Sequence, residues 1–151
     1  MTVLLIFSLG LLAYAVAGYP FALRLLSGRK GAKSEALPPL PADFSALPSV
    51  SMLLSVYNEE TVIDRKLDNF LQLVYPRDRL ELIVVSDGST DSTDAIVRGR
   101  NEPGVLLLRQ EGRLGKSSAL NLAAQHAGGD ILFFTDADSM LRPDCLARIA
   151  Q

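Results

Sequence analysis

The chain has 151 residues, 48% hydrophobic and 21% charged, with a formal net charge of −2 from 15 basic and 17 acidic side chains. That length suits one modest domain with a short extension, the composition excludes intrinsic disorder, and the near-neutral balance gives no electrostatic case for a nucleic-acid partner. Cys145 is the only cysteine, which excludes an intrachain disulfide and a cysteine metal cluster.

Residues 1–23, MTVLLIFSLGLLAYAVAGYPFAL, carry no charged side chain. About 20 apolar residues cross the hydrocarbon core of a bilayer as a helix, so residues 1–26 read as one transmembrane helix. The rival reading is a cleaved signal peptide, with Ala15-Val16-Ala17 as a small-residue cleavage pattern. No Lys or Arg precedes the apolar run, so the basic leader of a signal peptide is missing. Arg24, Arg29, Lys30 and Lys33 follow the run, and the positive-inside rule then puts the rest of the chain in the cytoplasm. The expectation is a single-pass protein of the inner or plasma membrane with a cytoplasmic domain. Residues 27–49 contain Gly28, Gly31, Pro38, Pro39, Pro41 and Pro48 and read as a linker.

The domain starts at Val50. VSMLLS (50–55) predicts a buried strand, and Val62, Ile63, Leu67, Phe70, Leu71 and Val74 recur at helical spacing within 58–74. LELIVVS (80–86) predicts a second strand, DGSTDST a turn, and DAIVRGR a helix. VLLL (105–108) predicts a third strand, and SSALNLAAQHA a helix ended by Gly128-Gly129. ILFFT (131–135) predicts a fourth strand, and a last helix starts near Pro143. Strands alternating with helices predict an α/β fold: a Rossmann-like, mostly parallel sheet with helices on both faces.

Polar clusters follow every strand. Tyr57, Glu59 and Glu60 come after the first, Asp87 after the second, Arg113 and Lys116 after the third, and Asp136-Ala137-Asp138 after the fourth. Ligands of open α/β sheets bind at this carboxyl edge. Two carboxylates at alternate positions of an extended segment point the same way and offer hard oxygen ligands to Mg or Mn. The bland alternative for 136–139 is a turn with Ser139 capping the next helix. Asp87 has its own bland alternative, an Asx turn eased by Gly88. Tyr57 offers an aromatic face to a nucleobase, and Arg113 and Lys116 beside a small-residue helix start suit phosphate. His126, late in its helix, suits the C-terminal dipole rather than catalysis.

In order along the chain, YNEE, VVSDGSTDST, GKSSALN and FTDAD resemble the donor half of the family-two glycosyltransferases, and EGRLGKSSALN is most similar to the membrane-bound polysaccharide synthases. The resemblance covers about residues 50–151. It implies the N-terminal half of a glycosyltransferase A-type fold and an inverting, metal-dependent transfer from a nucleotide-diphosphate sugar, a UDP-sugar above all, to a glycan or lipid acceptor. It implies that Asp136 and Asp138 hold Mg or Mn. It further implies that Tyr57, Glu59, Asp87, Arg113, Lys116 and Asp136 bind the donor, with Asp87 on the base or ribose. The acceptor half and its general base are expected beyond Gln151, so no catalytic residue is assigned. Leu146 and Ile149 in the last helix are then expected to lie uncovered. Two other readings stand beside the transferase: a nucleotidyltransferase, which would favour a glycine-rich basic loop after the first strand where SVYNEE stands, and a non-catalytic membrane-anchored fragment.

Overall fold

The computed structural model describes residues 2–26 and 39–151; residues 27–38 of the expected linker, with Arg29, Lys30 and Lys33, lie outside the described residues. The chain divides into two compact units, Met1–Leu37 and Pro38–Gln151. In the first, the uncharged run and Arg24 just after it wind into α1 (Thr2–Ala13), a π-helical turn (Tyr14–Gly18) and α2 (Tyr19–Leu26). Pro20 has no N–H for the carbonyl of Val16, and the helix widens over the turn before it. Thr2–Leu25 is long and apolar enough to cross a membrane.

The second unit is built on β1 (Val50–Val56), β2 (Leu80–Asp87), β3 (Val105–Gln110) and β4 (Ile131–Thr135), all parallel, in the order β3-β2-β1-β4. Central β1 and β2 are buried on both faces, which is why they read as continuous apolar runs. Edge strand β4 alternates instead and leaves Leu132 and Phe134 exposed. Between the strands run α3 (Ile63–Leu71), α4 (Thr93–Arg100), α5 (Lys116–His126) and α6 (Cys145–Ile149).

Strand alternation divides the core in two. Met52, Leu54, Val56, Leu82 and Val84 pack with Ile63, Leu67 and Phe70 of α3, Val97 of α4 and Leu146 of α6. Leu53, Ile83 and Val85 face the other way and meet Ala119 and Ala123 of α5. The predicted architecture is therefore observed, with helices on both faces.

Several details differ from expectation. α3 stops at Leu71, and the turn after it buries Leu73 and Tyr75 while Val74 faces out. The Tyr75 hydroxyl donates to the carbonyl of Pro48, and the Val74 amide to that of Pro143, so tertiary partners end the helix early. Leu146, expected to be uncovered, is buried by packing on this core, whereas Ile149 is exposed. β1, β2 and β3 each run past their predicted stretch, so Asp87 is the last residue of β2 rather than the first of a loop.

Candidate functional site

Parallel strands deliver their carboxyl ends to one edge of the sheet, and a cleft of about 470 Å³ opens there. β1 supplies Ser55 and, just beyond it, Tyr57 and Glu59. The intervening Asn58 has a φ of 54°, a left-handed turn that asparagine tolerates better than most residues. Its amide donates to Ser89 Oγ at 3.1 Å, and its side-chain oxygen accepts from the Thr90 amide at 2.8 Å. The Glu59 amide donates to Thr93 Oγ1 at 2.8 Å. These bonds sew the segment after β1 to the segment after β2.

Asp87 is 3% exposed and lines the cleft at the end of β2. One carboxylate oxygen accepts from the Leu114 amide and the other from the Gly115 amide, each at 2.8 Å. Asp87 therefore also builds the loop that carries Arg113 and Lys116. Gly88 makes this approach possible. Its φ is 74°, and a Cβ there would lie 2.7 Å from the carbonyl oxygen of Gly112 in the same loop.

The Arg113 guanidinium stacks 4.1 Å from the centroid of the Tyr57 ring, a cation–π contact across the mouth of the cleft. Lys116 opens α5, whose N-terminus has no side-chain cap, and its ammonium donates to Asp136. Both side chains of that pair are more than half exposed.

After β4, Ala137 turns into the core while Asp136 and Asp138 stay exposed on the cleft. The Ser139 amide closes the turn on the Asp136 carbonyl at 3.2 Å. α6 begins only at Cys145, with Asp144 at its N-cap, so Ser139 does not cap it. Two carboxylates with no third acidic, histidine or cysteine group beside them, among the described residues, make an incomplete cage. That donor set fits Mg or Mn, which take one or two protein carboxylates and fill the rest of the shell with water and substrate phosphate oxygens.

Every residue expected at the site lines this cleft: Tyr57, Glu59, Asp87, Arg113, Lys116, Asp136 and Asp138. His126 does not; its Nδ1 lies 2.9 Å from the Leu122 carbonyl at the end of α5. Sequence reasoning missed Ser55 and Gly115, which also line the cleft, and Lys66 beneath it. Lys66 is completely buried, and its ammonium reaches Thr135 Oγ1 at 2.7 Å and the Ser139 carbonyl at 2.5 Å. Burial pulls its pKa down to about 8, against the opposing pull of the Asp136 and Asp138 carboxylates. The readable signal was its spacing: Ile63, Lys66, Leu67 and Phe70 form one helical stripe, and a lysine in an apolar stripe needs a partner.

Comparison with known proteins adds four likenesses. The profile described as glycosyl transferase family 2 matches residues 51–151. The beta-monoglucosyldiacylglycerol synthase of Synechocystis is 35% identical over 144 residues, which are 91% of this chain and 30% of that protein. Among solved structures, the mannosyltransferase PcManGT from Pyrobaculum calidifontis, in complex with GDP-Man and Mn2+, matches with a TM-score of 0.66 at 38% identity, over 72% of this chain and 33% of that one. TarS of S. aureus in complex with UDP-GlcNAc matches with a TM-score of 0.64 at 29% identity, over 68% of this chain and 30% of that one. The chain thus spans about a third of the length of each.

Proposed function

The chain belongs to glycosyl transferase family 2 and has the parallel sheet of the glycosyltransferase A-type fold, and from that premise we propose that its cleft binds a nucleotide-diphosphate sugar, a UDP-sugar first, through Mg or Mn. The chain is then the donor-binding part of an inverting, membrane-anchored transferase acting on a glycan or lipid acceptor, with Thr2–Leu25 as the anchor and 50–151 as the cytoplasmic donor domain. One observation carries the reading: residues that follow or end all four strands, from Tyr57 and Asp87 to Lys116 and Asp136, converge on one cleft. The Mn and nucleotide sugars bound by the two solved relatives support it.

The divalent cation, when bound, neutralises charge on the leaving diphosphate. Asp136 and Asp138, which line the cleft, would hold it, and Ala137, packed in the core, keeps them on one side. Lys116 and Arg113 add positive charge beside the diphosphate, from a loop that Asp87 holds by two amides. Tyr57 presents its ring to the base. Asp87, with lone pairs beyond those two bonds, faces the base or ribose.

Isothermal titration of the detergent-solubilised chain with UDP and with GDP, in Mn or in chelator, tests the proposal. Mn should strengthen binding, and Asp136→Asn and Asp138→Asn should each remove about 1.5–3 kcal/mol of that gain, the scale of a hydrogen bond to a charged group. Asp87→Asn should weaken binding with or without metal. Equal affinity in Mn and in chelator, from a folded chain, would overturn the metal seat.

A further inference from the structure

Lys66 occupies a place that a methionine or leucine would fill without charge. It lies between Ile63 and Leu67 on the buried stripe of α3, and burying an ammonium costs several kcal/mol unless partners offset it. Its partners are specific. Thr135 is the last residue of β4, Ser139 lies one residue past Asp138, and the ammonium bonds to both. The turn that carries the two carboxylates is therefore gripped at each end by one side chain from beneath. Ala137, 5% exposed, fixes its middle.

We infer that Lys66 is a positioning residue, whose two hydrogen bonds to the ends of the 135–139 turn hold Asp136 and Asp138 in the pose that binds a divalent cation. The inference deepens the reading of the cleft as a metal–diphosphate seat and rests on it. Charge and position here act in opposite directions. A fixed cation behind two carboxylates repels an arriving Mn, so removing the charge alone tightens metal binding. Removing the grip loosens the turn and weakens it. A residue that only fills the core changes stability and leaves the metal affinity of folded molecules alone.

The sign of the effect therefore decides. Mn binding is followed by electron paramagnetic resonance on the detergent-solubilised chain in the presence of UDP, together with amide hydrogen exchange without metal and the thermal midpoint. Lys66→Met should weaken Mn binding about tenfold or more, the loss of two charged hydrogen bonds. It should also speed exchange at amides 136–140 while those of β1 stay protected. Lys66→Arg, which keeps charge and donors, should lie closer to the wild type in both. Should Lys66→Met fail to fold, Thr135→Val removes one anchor, leaves the charge, and should shift both readouts the same way. Unchanged or tighter Mn binding in these variants, with unchanged exchange at 136–140, overturns the inference while the metal seat stands. A wild-type chain that binds UDP but no Mn overturns the metal seat, and the inference with it.

Discussion

Lys116 and Asp136 are each other's partner, a cation proposed for the diphosphate on a carboxylate proposed for the metal. With both side chains more than half exposed, the pair contributes at most about 1 kcal/mol, so a stronger ligand separates it at little cost. This gives Lys116→Gln two effects of opposite sign. Without nucleotide it should tighten Mn binding, because Asp136 is released from its competitor. With UDP it should weaken nucleotide binding, because a charge beside the diphosphate is gone. Mn titration without nucleotide and UDP titration in Mn would read the two separately; a variant unchanged in both would show that Lys116 is only a solvated loop charge.

At the scale of the elements, the edge of the sheet opposite the cleft is stitched just as the cleft edge is. Asp130, just before β4, accepts from the Ser49 amide at 3.0 Å and from the Ser49 hydroxyl at 2.6 Å, just before β1. Ser51 Oγ donates to Glu81 and accepts from the Gly129 amide at 2.8 Å, which adds the start of β2. Gly129 has no alternative, since a Cβ there would lie 2.6 Å from the Ser51 amide nitrogen. The Ser49 hydroxyl and amide hold the Asp130 pKa below its ordinary 3.8. A carboxylate lowered by folding stabilises fully above its unfolded pKa, and that contribution is lost as pH falls through the folded value. Asp130→Asn should therefore have a lower urea midpoint than the wild type at neutral pH. The gap between them should close in acid below pH 3.8. A gap that persists undiminished in strong acid would show that the carboxylate's charge is not what clips β1 to β4.

For the molecule as a whole, an apolar helix with Arg24 near its end precedes a domain whose cleft is polar. If Thr2–Leu25 anchors the chain, the membrane fraction should keep it through carbonate extraction, and a reporter fused at Gln151 should be cytoplasmic. Release by carbonate, or a reporter on the far side of the membrane, would return the signal-peptide reading. The exposed Leu132 and Phe134 belong to the same scale: they line the open side of edge strand β4, where the strand's alternation leaves one face without a helix over it.

The element order and the polar residues that follow each strand are legible in the amino-acid string, because both are local: apolar period, turn chemistry and the position of Asp87, Lys116 or Asp136 near a run's end are written over short stretches of chain. The family's motifs, being short and ordered, were legible for the same reason. Long-range packing instead put β1 between β2 and β4, which brings Asp136 and Asp138 to the cleft that Tyr57 and Glu59 line. It decided that α3 ends at Leu71 because Tyr75 and Val74 have partners at Pro48 and Pro143. It decided that Asp87 spends an oxygen on each of two loop amides, and that Lys66 grips a turn 69 to 73 residues further along the chain. Periodicity says that a side chain will be buried; what it meets there depends on which distant strand is its neighbour, and that is settled by packing.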